Sequence, residues 1–231
     1  MAETALIVGA GSGLSASLAR LFAKEGMRVA LAARDTSKLA SLVKETGAFA
    51  VACDASESAQ VESMFGAVER KWGVPDLVVY NAGYRVRGPF VDLDPQEVER
   101  TIRITGYAGF LVAQGAAKRM LARGTGAIFF TGASASVKGY AESAPFAMGK
   151  FALRGLAQSM ARELAPRGIH VAHFVIDGGI ARGASDPRAQ ERGADGMLLP
   201  DEIARNYLHV YRQHRSAWSW EVELRPWGER F

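Results

Sequence analysis

The sequence predicts a doubly wound α/β fold, a parallel sheet between two helical layers, and three observations predict it. Short uninterrupted apolar runs recur along the chain, helical stripes fall between them, and a glycine-rich turn joins the first run to the first stripe. Strands buried on both faces show continuous apolar runs rather than alternation, and a parallel sheet covered on both sides has that pattern. At 231 residues, 48% of them hydrophobic, the chain can bury one sizeable core and is short for two α/β domains. Residues 1–231 are therefore expected to form a single three-layer domain.

The first strand is expected at Thr4-Ala5-Leu6-Ile7-Val8, and Gly9-Ala10-Gly11-Ser12-Gly13 ends it in a turn. Leu14, Leu18, Leu21 and Phe22 then recur on one helical stripe that ends near Gly26. Further strands are expected at Val29 to Ala33, Ala48 to Ala52, Leu77 to Tyr80, Ala127 to Thr131 and Ile169 to Ile176. A helix with the stripe Val61, Met64, Phe65 and Val68 and a longer one from about Pro145 to Leu164 lie between them. The small, polar, glycine-punctuated stretch at about 180–199 is expected to be a flexible substrate flap over the carboxyl edge of the sheet. Trp218 to Leu224 alternates enough to be a last strand.

The 28 basic and 24 acidic side chains give a formal charge of +4, scattered rather than gathered in a stripe, so nucleic acid is not an expected partner. One cysteine, Cys53, forms no internal disulfide, and no basic segment with an apolar signal core opens the chain; a reducing cytoplasm is expected. No uncharged apolar stretch reaches the roughly 18–20 residues that span a bilayer, so no membrane is expected. His170 and His173, three apart in a strand, point to opposite faces, and His209 and His214 have no ligand pattern around them; no metal is expected.

The turn after the first strand brings backbone N–H groups and the positive end of a helix together, a place for a pyrophosphate. Gly9, Ser12, Gly13 and Leu14 are its candidate contacts. The pattern G-x-G-x-x-G fails here, because its last glycine would fall at Leu14. At the end of the second strand an acid would accept from a ribose 2′-hydroxyl, whereas an arginine would pair with a 2′-phosphate. The strand closes Ala32-Ala33-Arg34-Asp35, so Arg34 favours NADP(H), and Asp35 keeps NAD(H) open.

Taken in order, Gly9 and Gly13 with Ser15 in the spacing Gly-x-x-x-Gly-x-Gly, then Arg34, Asp54, Asn81-Ala82-Gly83 and Lys150, resemble the short-chain dehydrogenase/reductase family over the first 180 or so residues. The resemblance implies a Rossmann-type nucleotide domain, Asp54 near an adenine ring, and Asn81, Ala82 and Gly83 beside the cofactor. It also implies a homodimer or homotetramer paired through the helices holding Thr101 to Leu121 and Phe146 to Leu164. Family members use a tyrosine as proton carrier, with a lysine four residues on, a serine that polarises the carbonyl and an asparagine that supports a relay. This chain has Phe146 in the tyrosine's place, Lys150 in the lysine's, Ala133 in the serine's and Thr105 in the asparagine's. Asp177 stands for a proline, and Arg182 for a threonine that contacts the cofactor. Phenylalanine has no ionisable group and cannot act as general acid. The best replacement donor is Tyr140 on the preceding loop, ahead of Tyr84 and Tyr107. The resemblance implies that Lys150 holds the cofactor ribose, and it could also serve as an acid if desolvation lowers its pKa; Ser134 or Ser136 could stand in for the serine. Two functions follow: an NADP(H)-dependent oxidoreductase of a carbonyl or alcohol with an atypical site, or a catalytically silent nucleotide-binding sensor or partner subunit. The substrate is not specified.

Overall fold

The computed structural model describes residues 2–183, 186–193 and 195–229. Its strands are β1 (Thr4–Val8), β2 (Arg28–Ala33), β3 (Phe49–Ala52), β4 (Leu77–Tyr80), β5 (Gly126–Thr131), β6 (Ile169–Ile176) and β7 (Glu221–Leu224). They form one sheet in the order β3-β2-β1-β4-β5-β6-β7, with every neighbouring pair parallel. The chain starts at the centre, winds outward through β2 and β3, returns to β4 and winds outward again to β7. The direction of winding reverses between β1 and β4, where sheets of this type open a crevice at the carboxyl ends of their strands.

The helices are α1 (Leu14–Lys24), α2 (Ala40–Thr46), α3 (Ser58–Trp72), α4 (Pro95–Ile102), α5 (Ala108–Arg123), α6 (Ala144–Leu164), α7 (Pro187–Arg192) and α8 (Pro200–Tyr211). Side chains from α1, α2 and α8 build the core on one face of the sheet, and those from α3, α5 and α6 build it on the other. Within β1, Ala5 and Ile7 enter the first core, while Leu6 and Val8 enter the second. Both parities are buried, which is why the strand is apolar throughout. The expected stripe of α3 is fully buried, as are Leu14, Leu18 and Phe22 of α1, with Leu21 partly so.

Three local features differ from the sequence expectation or add to it. The last strand starts at Glu221 rather than Trp218, because the Trp218 indole stacks on His170 at 4.7 Å and donates Nε1–H to the Gln213 carbonyl. A π-helical turn, Arg103–Tyr107, joins α4 to α5 without a break, and the Tyr80 hydroxyl donates to the Ile104 carbonyl within it. The segment 180–199, expected to be a flap over the sheet edge, holds local structure among its described residues. Ile180 pairs with Leu198, the Ala181 and Leu198 amides close its base at 2.8 Å each, and α7 lies inside it. Asp186-Pro187 is a helix start, with the buried Asp186 carboxylate accepting from the Arg182 and Arg188 amides and from the Arg188 guanidinium. Residues 184, 185 and 194 of the expected flap lie outside the described residues.

Gly9 fixes how the two central strands meet. Its φ is +84°, and a Cβ there would lie 2.5 Å from the Ala82 backbone nitrogen. Gly9→Ala is therefore expected to cost roughly 2 kcal/mol or more. Urea unfolding monitored by circular dichroism should show a lower midpoint at unchanged slope; an unaltered midpoint would mean that the strand ends have room to part.

Candidate functional site

The carboxyl ends of β1 to β4 open a cavity of about 250 Å³ lined by Gly9, Ala10, Arg34, Asp54, Tyr80, Asn81, Ala82 and Gly83, among others. At its floor, Asn81 Nδ2 donates to Ser15 Oγ at 2.7 Å, and Ser15 Oγ donates to the Gly9 carbonyl at 3.1 Å. The Ser15 side chain is buried in this clasp and leaves the surface of the turn clear, so serine is accommodated at the third small position of the glycine pattern. Above it the turn is open: a Cβ on Gly11 or on Gly13 would meet nothing within 4 Å, and no side chain caps the start of α1. That is an uncapped helix N-terminus with space in front of it, the arrangement that receives a phosphate.

Arg34 and Asp35 are treated differently by the fold. Asp35 caps the turn after β2, its carboxylate accepting from the Ser37 amide and hydroxyl, with Lys38 3.6 Å away. The Ser37 hydrogen bonds, with Lys38 adding its charge, hold the Asp35 pKa below the usual carboxylate value. Arg34 is exposed and has no hydrogen bond or ion pair among the described residues. Asp54 accepts from the Ser56 amide and hydroxyl through Oδ1 alone. Burial pushes its pKa up, but the Ser56 hydrogen bonds and the charges of Arg34 and Arg103 bring it below the ordinary value. Cys53 beside it is buried and free, its thiol pushed up to about 11 by burial first and by Asp54 second, so it is no nucleophile at neutral pH.

A second cavity, of about 560 Å³, shares Asn81 and Gly83 with the first and runs along β5, the start of α6 and the segment after β6. Arg85, Ser134, Tyr140, Phe146, Lys150 and Arg182 line it. Lys150 is buried, and its Nζ donates to the Thr131 carbonyl at 2.7 Å. Burial alone lowers its pKa to about 8. A Cβ on Gly83 would sit 3.8 Å from Lys150 Nζ and 4.0 Å from Thr105 Oγ1, so glycine leaves these two polar groups open to one point. Phe146 carries a cation on each of two contacts, with Arg85 Cζ 5.0 Å and Lys150 Nζ 5.7 Å from its ring centroid. Behind this wall, His173 Nδ1 meets Glu221 Oε2 at 3.1 Å, and Glu221 holds Arg154 bidentately.

Residues 3–188 match the short chain dehydrogenase family. The chain belongs to that family. Among its relatives, a D-threitol dehydrogenase of Mycolicibacterium smegmatis is 32% identical over 174 residues, covering 73% of this chain and 67% of its own length. A short-chain dehydrogenase structure from Rhodopseudomonas palustris superposes with a TM-score of 0.83 at 34% identity, over 97% of this chain and 99% of that one. A metagenomic short-chain oxidoreductase solved in complex with NADP gives a TM-score of 0.84 at 28% identity, over 97% of both chains.

Of the residues singled out from sequence, Gly9, Arg34, Asp54, Asn81, Ala82 and Gly83 come together around the first cavity, and Lys150, Tyr140 and Phe146 around the second. The weaker tyrosine candidates are elsewhere or engaged. The Tyr84 hydroxyl donates to Glu97 at 2.6 Å, and Tyr107 is exposed, stacked on Phe110. Ser136 is buried with its Oγ accepting from the Ala133 amide, which leaves Ser134 as the serine on the cavity wall. Arg85 was missed. The signal lay in the run Tyr84-Arg85-Val86-Arg87 directly after the Asn-Ala-Gly element, where two cations sit with no acid beside them. No group of three potential metal ligands occurs among the described residues.

Lys150 makes stability depend on pH. Below about pH 8 it is charged in both states, and the folded state bears the full cost of burying that charge. Between about 8 and the ordinary 10.5 the unfolded chain keeps the proton that the folded one has lost, so stability rises with pH. Lys150→Met should abolish that rise and be roughly 1–3 kcal/mol more stable than wild type at pH 7. Denaturant midpoints measured from pH 7 to 10.5 check this, and parallel curves for the two proteins would refute it.

Proposed function

We propose that this protein is an NADP(H)-dependent oxidoreductase of a carbonyl or alcohol substrate in which Lys150 carries the proton that family members route through tyrosine. The observation that supports this most is the buried ammonium itself. It has a pKa near 8, no counter-charge, and a place on the wall of the second cavity, beside the Gly83 that the two cavities share. A general acid works best with a pKa close to the operating pH, and this one is tuned by desolvation. Tyr140 is the weaker donor, since it is 44% exposed and lies against Lys138.

In this reading Gly9, Ser12, Gly13 and Leu14 receive the pyrophosphate at the start of α1. Arg34 pairs with the 2′-phosphate, Asp54 faces the adenine through its unused Oδ2, and Asn81-Ala82-Gly83 flanks the reactive end. Asp35 is tied to Ser37, which weighs against NAD(H). The NADP complex of the metagenomic relative supports the same cofactor. NADPH, when bound, supplies a hydride to the carbonyl carbon. Lys150 gives its proton to the carbonyl oxygen and takes another from solvent; in the oxidative direction the neutral amine accepts the alcohol's proton. Ser134, which lines the same cavity, hydrogen-bonds the carbonyl oxygen, the work left vacant by Ala133.

We further propose a homodimer or homotetramer. Tyr107, Phe110, Met148 and Phe151 are exposed where the π-helical turn, α5 and α6 carry them, on the two helical segments expected to pair. No helix among the described residues is long and apolar enough to cross a membrane. The buried free thiol of Cys53 fits the cytoplasm as the compartment.

Fluorescence titration tests the cofactor. NADPH should bind about tenfold more tightly than NADH, with Arg34→Gln removing the difference by weakening NADPH alone. Failure of both nucleotides to bind at millimolar concentration overturns the reading. In a carbonyl panel, reduction should fall as pH rises through about 8. Lys150→Met should lose about a hundredfold or more in kcat, while Tyr140→Phe stays within a few-fold. NADPH binding with no turnover of any panel member would instead establish the silent nucleotide-binding protein.

A further inference from the structure

Beside the residues already assigned, the second cavity holds a charge with no task. Arg85 lies with its guanidinium over the Phe146 ring at 5.0 Å and has no hydrogen bond and no ion pair among the described residues. Burial first, and the nearby Arg87 second, hold its pKa below the ordinary arginine value. The other cations on the wall are Lys150 and Arg182, and no described lining residue is an aspartate or glutamate. The acid nearest in sequence to this wall, Asp177, is buried between Lys138 at 3.5 Å and Arg225 at 3.0 Å, and so is already neutralised. A concave wall with several cations and no anion attracts negative charge.

The mode of attachment selects the kind of anion. The Arg85 guanidinium lies 5.0 Å from the Phe146 ring centroid with no hydrogen-bond partner among the described residues, so its N–H edge is free, and that edge matches the two oxygens of a carboxylate. Of the other two cations, Lys150 is engaged with the Thr131 carbonyl and Arg182 lies at the exposed rim with no described contact on its guanidinium, so Arg85 is the cation on this wall left to set the anion. Phe146 is then more than a missing tyrosine, because its ring is the platform that holds Arg85 over the cavity, on the same ring that Lys150 approaches.

We propose that Arg85, seated on the Phe146 ring, is a carboxylate-binding site, and that the substrate is an oxo acid or hydroxy acid whose carboxylate is held there. The assignment of this anion as substrate rests on the oxidoreductase reading above; the anion site itself does not.

Isothermal titration tests it with oxo acids of three to six carbons, each paired with its primary amide, into the protein with and without saturating NADP⁺. At least one acid should bind about tenfold or more tightly than its amide, and Arg85→Gln should erase that margin. Arg85→Lys should recover part of it, having the charge without the fork. Phe146→Ala should weaken acid binding, and Phe146→Tyr, which keeps the ring, should not. Equal binding of acid and amide, no acid binding in either form, an Arg85→Gln variant that binds acids as wild type does, or preference for a carbonyl phosphate such as dihydroxyacetone phosphate would each overturn it. If acids bind through Arg85 while neither nucleotide binds, the anion site stands and the oxidoreductase reading falls.

Discussion

Burial of the sheet on both faces is the constraint on which the rest of this molecule depends. A parallel sheet needs a crossover after every strand, and crossovers place helices on its faces, so the inner strands must be apolar at both parities, while the edge strand β7 alternates. Ala5 and Ile7 on one side and Leu6 and Val8 on the other satisfy this in β1. With both faces sealed, polar chemistry has only the strand ends. All strands run the same way, so their carboxyl ends share one edge, and the reversal between β1 and β4 opens that edge at its middle. Gly9, Arg34, Asp54 and Asn81, far apart in sequence, meet there because each lies within two residues of the end of a strand.

The chemistry at this edge is shaped by what is absent from the walls as much as by what is present. The Lys150 ammonium gains a backbone carbonyl but no carboxylate, so burial acts on it unopposed. Glu221, the acid behind the same wall, is held by Arg154 and His173 instead. The Phe146 phenyl ring carries no proton to exchange and tolerates a cation on either contact, which Arg85 and Lys150 supply.

Features set by local sequence could be read from it. Continuous apolar runs mark six of the seven strands to within a residue or so, and the order of the glycine turn, Asn81-Ala82-Gly83 and Lys150 points to the family. Where tertiary contacts decide, the reading fell short. Trp218 alternates like a strand residue but is drawn away by His170, 48 positions earlier in the chain. The start of α7 was hidden in a polar, glycine-punctuated stretch, although Asp186-Pro187 carried a start signal. How Ser15 fits the third place of the glycine spacing could not be read, because its hydroxyl is set by Asn81, a partner 66 residues away. Arg85 went unnoticed since an arginine after a strand end is most often a solvated charge, and only the ring beneath it gives it direction.

The clasp of Asn81, Ser15 and the Gly9 carbonyl carries a consequence of its own. It ties the end of β4, the first turn of α1 and the end of β1 by side-chain hydrogen bonds beneath the crevice, with Ala82 packed against Gly9 alongside. The crevice floor is therefore shaped by the core and not by whatever enters it. A ligand arriving there has little backbone to order, so less of its contact energy is lost to entropy and more remains as affinity. Conformational adjustment on binding is then left to the parts that the core does not tie down, the exposed side chains at the rim and the segment joined at Ile180 and Leu198.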